Sequence, residues 1–333
     1  MFKLTVLTVT LALTAVVAFG QAPTLQIRTP DGPNLPAELF YGNVKVKPLR
    51  LRPGTNQVIT IDDSDFFVSQ HYVDFLNRFP DTSGFNYWVS QFAGCSTQSC
   101  INTKRIDVSN AFFFELEFQQ TGAYVYRLYR ASFGNNQPAP NPHPDSNFPG
   151  EDLKMPNYTA FKADRQLVVG GSNLAQKQLD LANAFVARPE FTTKYPASLA
   201  TADQFVDAVL ATVQNDLGVN LQSERNGLIA LWNSGGRGVV MYRLADDNVG
   251  TNPINNRPFI DAEYNRAFVY TQYSGYLRRN SDVPGFMFWL GQVNGGPLRD
   301  ISKQHAMVCS FITSQEYQLR FGSTATHTNA ECN

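Results

Sequence analysis

The chain has 333 residues, of which 27 are Lys or Arg and 28 are Asp or Glu. This near balance of charge argues against a nucleic-acid partner, because binding of the phosphate backbone requires a basic surface. Hydrophobic residues make up 43% of the chain and aromatic residues 13%, which is ample material for a hydrophobic core.

Residues 1–20 have the composition of a signal peptide. Lys3 supplies a basic start, residues 4–19 are almost entirely apolar, and the small residues Ala18 and Gly20 lie where a signal peptidase reads the chain. The apolar run is short for a membrane span and no stop-transfer charges follow it. We therefore expect cleavage before Gln21, secretion to the periplasm or the cell exterior, and no membrane span in the mature chain.

The next segment, residues 21–64, has a β-type pattern that the rest of the chain lacks. Residues 25–28, 44–52 and 58–61 alternate in polarity or are rich in β-branched residues, with Pro and Gly between them. They predict two or three short strands. We expect a β-rich N-terminal strap that lies on a helical body, because so small a hairpin is rarely stable alone.

Three acidic residues, Asp62, Asp63 and Asp65, precede the first predicted helix. We interpret them as stabilising the helix start, where free N–H groups and the helix dipole favour anions. Calcium binding is the alternative, but no EF-hand spacing follows.

A segment of 22 residues occurs twice in the chain in similar form. FVSQHYVDFLNRFPDTSGFNYW, at 67–88, matches FVYTQYSGYLRRNSDVPGFMFW, at 268–289, without a gap. A match of this length indicates an internal repeat. The shared motif residues include Tyr72, Arg78, Asp81, Gly84 and Trp88 in the first copy and Tyr273, Arg279, Asp282, Gly285 and Trp289 in the second.

Each copy predicts a helix–turn–helix corner. Apolar residues at helical spacing over 67–76 form one face of a helix, which Pro80 prevents from continuing. The matching Asp of each copy is placed to cap a second helix, the Gly allows the two helices to approach closely, and the Trp closes the apolar face. We interpret Arg78 and Arg279 as structural residues that pair with the capping Asp or with the last carbonyls of the preceding helix.

The motif Tyr-x-Asp-Phe-Leu-x-Arg-x-Pro-Asp-x-x-Gly-x-x-Tyr-Trp, read over 72–88, resembles the signature of a bacterial secreted family catalogued as domain of unknown function 4214. The second copy departs from it at Gly275, Ser281 and Phe288. The resemblance covers roughly residues 65–322. It implies a fold and export, and by association a place in the cell envelope or at the cell surface, but no chemistry.

Four cysteines follow an export signal, so disulfides are the expected state. Three pairings are possible. We favour Cys95 with Cys100, which closes a tight loop between helices, and Cys309 with Cys332, which tethers the polar tail at 323–333. A zinc site is the alternative, but the Cys-x4-Cys spacing suits zinc poorly.

A second recurring element is a helix that carries aromatic residues, breaks, and restarts with Glu117, Glu190 or Glu316. We interpret these three residues as first-turn acids rather than as an acidic site. Together the elements predict a mainly α protein of four helical units of roughly 60–70 residues, packed into one body. The first two units span 65–198 and the last two 199–322.

The proline-rich segment 135–150 cannot be helical. We interpret it as a surface crossover, with a binding loop as the alternative. His71 lies on the predicted buried face of the first corner helix and is interpreted as a core residue. A metal-ligand pair of His305 and Cys309 is a less favoured reading, because Cys309 has a disulfide partner.

The chain contains no GxSxG, HExxH, P-loop or dinucleotide motif, so we assign no catalytic, cofactor or metal residue. We expect an exported, non-enzymatic scaffold or interaction module at the envelope or outside the cell, whose partner is an envelope polysaccharide or another surface protein. The alternative is an extracellular hydrolase or carbohydrate-binding protein acting on polysaccharide. A deep pocket with convergent polar groups would favour that alternative.

Overall fold

The computed structural model describes residues 60–138, 155–248, 250–321 and 326–332, together with the backbone of three strands nearer the N-terminus. The predicted signal peptide lies outside these residues, as do residues 139–150 of the predicted loop and the first part of the tail. The described chain is mainly α-helical, which confirms the mainly α part of the predicted fold class.

The helices of the first half are α1 (Ser64–His71), α2 (Thr82–Ser90), α3 (Gln98–Phe114), α4 (Leu116–Gln120), α5 (Gly122–Phe133), α6 (Tyr158–Arg165), α7 (Leu174–Val186) and α8 (Pro189–Lys194). The helices of the second half are α9 (Ala202–Leu217), α10 (Arg225–Ala245), α11 (Arg257–Gln272), α12 (Val283–Val293), α13 (Ile301–Ile312) and α14 (Gln315–Leu319). A π-helical turn follows α1 at Tyr72–Leu76, and another follows α11 at Tyr273–Leu277. Short 3-10 helices lie at Gln222–Glu224 and Asn329–Cys332.

Three short strands precede the helices. β1 (Leu25–Arg28), β2 (Glu38–Tyr41) and β3 (Val44–Val46) form an antiparallel sheet in the order β1-β2-β3. β1 and β3 fall within predicted strands, whereas β2 lies where the sequence predicts none. The β-rich character of 21–64 as a whole stays a prediction, because most of that segment lies outside the described residues.

The core is one continuous cluster of buried apolar side chains to which helices of both halves contribute. α5 lies inside it: all of its residues are buried, and it contacts α9, α10 and α11. Even its two arginines are enclosed. Arg130 pairs with Glu263 of α11 at 2.8 Å, and Arg127 donates to the backbone carbonyl oxygens of Gln119 and Ala245. These partners replace the water that a buried guanidinium loses.

α10 is bent rather than ended at its glycine pair. Gly235 and Gly236 leave the helical conformation, and Gly236 has a φ of 74°, a value that glycine adopts without strain. A glycine pair often ends a helix, but this helix resumes and continues to Ala245. Arg237 stabilises the bend by donating to three carbonyl oxygens in the segment after α8.

Candidate functional site

Both corners contain an aspartate cap. The carboxylates of Asp81 and Asp282 each accept a hydrogen bond from the backbone N–H three residues on, at Gly84 and Gly285, and both bonds are 2.8 Å long. Hydrogen bonds from the Ser83 hydroxyl and the Gly84 amide lower the pKa of the Asp81 carboxyl to about 2. The Asp81 cap therefore stays ionised at neutral pH, and each cap fixes the start of the second helix of its corner.

The corner glycines make room for a tyrosine. A Cβ at Gly84 would overlap the Tyr72 hydroxyl, and a Cβ at Gly285 would overlap the Tyr273 hydroxyl. Each tyrosine begins a π turn and crosses the first turn of the following helix. The sequence predicts that these glycines let two helices approach closely, whereas the group that each glycine accommodates is a side chain.

The π turns themselves are not predicted by the sequence. Each widens the last turn of the preceding helix and ends at a residue in the left-handed conformation, Asn77 or Arg278, both with a φ of 55°. Residues other than glycine adopt that conformation at some cost in strain, and the cost is greater for Arg than for Asn. Its occurrence at matching positions gives both corners the same sharp reversal.

The corner arginines pair chiefly with glutamates far along the chain. Nε and Nη2 of Arg78 each donate to the Glu117 carboxylate at 2.7 Å, and Arg279 binds Glu316 in the same way at 2.7 and 3.1 Å. The capping aspartates are second partners, at 3.4 and 3.5 Å. The interpretation of Glu117 and Glu316 as first-turn acids was therefore incomplete, because each also forms a two-pronged ion pair with its corner.

The motif tryptophans pack against the core. Trp88 and Trp289 are partly buried, with their rings 5.2 Å from Phe112 and 6.3 Å from Phe311. Together with the caps and ion pairs, they hold the helices of each corner at a fixed angle.

The two corners meet at a position where the copies differ. Asp74 of the first π turn is buried and accepts from Arg278 at 3.0 Å and from Arg320 at 2.9 Å. Burial raises the pKa of the Asp74 carboxyl, but the two guanidiniums outweigh burial and hold it below its usual value. The matching residue is Gly275, where any Cβ would overlap the Phe75 ring. One copy supplies the acid and the other supplies Arg278 and the space, while Arg320 follows α14.

His71 is a satisfied core residue. Its Nδ1 lies 2.8 Å from the Phe67 carbonyl oxygen and its Nε2 lies 2.9 Å from the Ser109 hydroxyl. Burial lowers the pKa of the imidazole to about 4, so the ring is neutral at physiological pH. A Ser–His contact is a feature of nucleophilic enzymes, but both residues are buried, and the Ser109 hydroxyl also contacts Tyr276.

A cleft of about 320 Å³ opens between α4, the end of α10 and α11. It is lined by Phe114, Leu116, Gln119, Asp247, Asn248, Arg257, Tyr264 and Arg299. The sequence analysis assigned none of these residues to a site. They come from several separate parts of the chain and share no spacing, so no local pattern in the sequence groups them.

The charges of the cleft are balanced. Arg257 lies 2.6 Å from Asp261 and 3.4 Å from Asp247. Arg299 lies 3.6 Å from Asp261, and its guanidinium covers the Tyr264 ring at 4.6 Å from the ring centre. Burial raises the pKa of the Tyr264 hydroxyl to about 12, so it remains a hydrogen-bond donor.

Residues 252–321 match the family model described as Domain of unknown function (DUF4214). No curated protein and no solved structure matches the chain. The matched segment runs from just before α11 to just beyond α14 and contains the second corner. It also contains Arg257, Tyr264 and Arg299, whereas the other cleft residues lie outside it. The cleft is therefore formed between the matched segment and the rest of the chain.

The cysteines pair as the sequence favours. Cys95 and Cys100 have Cα atoms 5.4 Å apart, Cys309 and Cys332 have theirs 5.6 Å apart, and both pairs of sulfur atoms are at bonding distance. Near the second disulfide, His327 of the tail lies between two carboxylates. Its Nε2 is 2.5 Å from Asp62 and its Nδ1 is 2.9 Å from Glu331. The tail is thus fixed by a covalent bond and by an ionic cluster.

The predicted calcium alternative finds no support in the geometry. Asp62 accepts from Arg105 at 3.2 Å as well as contacting His327, and Asp63 accepts from the Thr60 amide at 2.7 Å. Asp63 occupies the N-cap position of α1, but its side chain makes no capping bond. Across the ranges that the structure describes, no three His, Cys, Asp or Glu side chains are grouped to hold a metal ion. None of the helices described is both long and apolar enough to cross a bilayer.

Proposed function

We propose that the protein is an exported, non-catalytic interaction module that acts at the cell envelope or outside the cell. One observation carries the proposal: the charged residues of the repeated motif are engaged in holding the corners together. Arg78 and Arg279 bind Glu117 and Glu316 with both prongs of the guanidinium. A residue whose hydrogen-bonding groups are used in this way is poorly placed to act on a substrate.

Export to an oxidising compartment is supported by two independent features. Residues 1–20 have the composition of a signal peptide. The pairs Cys95–Cys100 and Cys309–Cys332 leave no free cysteine among the described residues, and disulfides persist outside the cytosol. We place the protein in the periplasm or outside a bacterial cell.

The architecture that we propose is a set of four helical units, at 65–198 and 199–322, with the N-terminal strap and the tethered tail added. The matching contacts of the two corners support the first and last units. The enclosed helix α5 and the α9–α10 pair take the corresponding places between them, although neither carries the complete motif.

A second candidate, a carbohydrate-binding protein, is favoured by the cleft. Its polar and apolar lining is typical of small-ligand sites. Hydrolysis of a glycosidic bond is less well supported, because two carboxyl groups must flank that bond. Among the described residues that line the cleft, Asp247 is the one carboxylate, and Ser, Cys and His are absent.

The test is an assay of turnover on the mature chain, beginning at Gln21. We expect no release of reducing ends from a panel of neutral and acidic polysaccharides and no cleavage of a peptide library. Fusion of residues 1–20 to a reporter that is active only after export should give activity. Release of reducing ends by the wild type that is abolished in Arg257→Met would contradict a non-catalytic function.

A further inference from the structure

The cleft between α4 and α11 has the dimensions of a small-ligand site. Its volume is about 320 Å³. This is at the lower end of the range of about 300–1,000 Å³ that ligand pockets occupy. A ligand of one or two rings fits such a space, whereas a protein surface does not enter it.

The lining is not a product of the repeated corners. The positions 201 residues before Tyr264 and Arg299 hold Asp63 and Gln98, so the first copy has no equivalent of the stacked Tyr–Arg pair. The residues that build the corners recur in both copies, but these do not. The packing of the corners therefore does not explain why these residues lie around an open cleft.

Two arginines present donors to the cleft. The side chains of Arg257 and Arg299 are 35% and 36% exposed, so their terminal nitrogens can reach a ligand. The Tyr264 hydroxyl and the Nε of Arg299 are enclosed in the fold, the hydroxyl beside the Gln304 side chain, and neither is open to the cleft. Arg299 has a φ of 66°, a strained conformation for a residue other than glycine, of the kind that occurs at binding sites.

An apolar wall faces these donors. Phe114 is partly buried and Leu116, at the start of α4, is 60% exposed. Both side chains line the cleft and supply the apolar surface that small-ligand sites use beside a few polar groups. The cleft thus has donors on one side and a hydrocarbon surface on the other.

The balance of charge decides the class of ligand. Arg257 and Arg299 are neutralised by Asp247 and Asp261. An anion would compete with these carboxylates and a cation would compete with the guanidiniums. A neutral ligand with many hydroxyl groups can accept from the donors and donate to Asp247 while the ion pairs remain. A sugar ring also offers a C–H face for the apolar wall.

We propose that this cleft binds a neutral saccharide of one or two rings. The saccharide accepts hydrogen bonds from Arg257 and Arg299, donates to Asp247, and packs its apolar face on Leu116. This inference rests on the proposed interaction function and names its ligand class, a neutral unit of an envelope polysaccharide.

The experiment is a titration of the disulfide-bonded mature chain, followed by NMR or calorimetry. The probes are neutral mono- and disaccharides of glucose, galactose, mannose and N-acetylglucosamine, together with glucuronate and galacturonate. We expect saturable binding of at least one neutral sugar, with the matching uronate at least tenfold weaker. Leu116→Arg, which fills the cleft, should lower affinity at least tenfold. Leu167→Arg is the matched control, because Leu167 is 56% exposed and does not line the cleft.

Leu116→Ser is a second, smaller substitution that tests the site even if the Leu116→Arg protein misfolds. It should lower the affinity for the neutral sugar about threefold. Binding of no neutral sugar, tighter binding of the uronates, or equal affinity of Leu116→Arg and Leu167→Arg would each overturn the inference. Consumption of a bound sugar would instead contradict the proposed non-catalytic function and leave the site standing. Absence of both binding and turnover would contradict the proposed saccharide site but would not contradict the proposed non-catalytic function.

Discussion

At the scale of single residues, the differences between the two copies are as informative as the identities. Asp74 and Gly275 occupy the same place in the motif, yet one is a buried acid and the other leaves space for the Phe75 ring. The copies face each other, so a change in one must be matched in the other. Arg278 and Arg320 supply that match by binding the acid.

Replacement of Asp74 by Asn should destabilise the protein by about 3–5 kcal/mol, because it removes a buried anion and leaves two guanidiniums, only 16% and 13% exposed, without their partner. Urea unfolding would measure the change. The pKa of Asp74 is depressed in the folded state, so its contribution is present above the unfolded pKa of about 3.9. It is lost as the pH falls through the folded value.

The control for this substitution is Asp203→Asn. Asp203 binds Arg225 at 2.8 Å, but its side chain is 62% exposed, so the loss should be below about 1 kcal/mol. Equal losses for the two variants would show that the Asp74 cluster contributes no more than a surface pair.

Substitution of Gly84 by Ala should destabilise the fold by about 1–3 kcal/mol, since the new methyl group would overlap the Tyr72 hydroxyl. Removing that hydroxyl with Tyr72→Phe in the same chain should recover much of the loss. Gly291→Ala in α12 is the control: nothing lies within 4 Å of its added Cβ, so it should stabilise by about 0.5–1 kcal/mol. A double variant no more stable than Gly84→Ala would rule out this cause.

At the scale of elements, the corner arginines attach α4 and α14 to the helices before them. The two ion pairs have the same geometry but differ in exposure. The side chains of Arg78 and Glu117 are 22% and 24% exposed, whereas those of Arg279 and Glu316 are 36% and 48% exposed. Solvent weakens the second pair more than the first.

Double-mutant cycles to Met and Gln should therefore give unequal coupling energies. We expect about 1.5–3 kcal/mol for Arg78 with Glu117, as for partly buried hydrogen bonds between charged groups. For Arg279 with Glu316 we expect below about 1 kcal/mol. A larger coupling for the second pair would show that burial does not set the strength of these contacts.

The tail is held by the ionic cluster around His327, and the contribution of this cluster to stability depends on pH. Asp62 is the main cause of the raised pKa of His327, and Glu331 adds to it, while burial and Arg105 act in the opposite direction. Because the folded pKa is raised, the ionic contribution is complete below the unfolded value of about 6.5. It is lost as the pH rises through the folded pKa.

His327→Gln should accordingly be less stable than the wild type by about 1 kcal/mol at pH 5.5, and the gap should narrow by pH 8.5. Denaturant unfolding at both values, with the Cys309–Cys332 bond intact, measures it. A gap that is equal at the two values or larger at pH 8.5 would exclude this role for the imidazole.

Sequence reasoning predicts those features of the corners that depend on residues close together in the chain. Pro80, Asp81 and Gly84 specify a helix end, a cap and a close approach within a few residues. The π turns were missed, because an apolar pattern at helical spacing does not reveal one extra residue in a turn. The partners of Arg78 and Arg279 were missed because they lie 39 and 37 residues away, and only the recurrence of that separation could have suggested them.

At the scale of the whole molecule, the corners and the cleft are different kinds of feature. The corners repeat, and their charged groups are used within the fold. The cleft does not repeat, and its lining is assembled by packing of α4, α10 and α11. This is why the mainly α class follows from the sequence, whereas residues such as Leu116 and Arg299 become neighbours only once the helices are in place.

The central claim is that the repeated motif stabilises the fold without contacting a ligand. The most direct measurement compares Arg78→Met and Arg279→Met with the wild type in two respects, unfolding free energy and binding to a panel of isolated bacterial envelope polysaccharides below the unfolding transition. We predict lower stability, with the larger loss for Arg78→Met, and unchanged binding. Weaker binding at unchanged stability would contradict the claim.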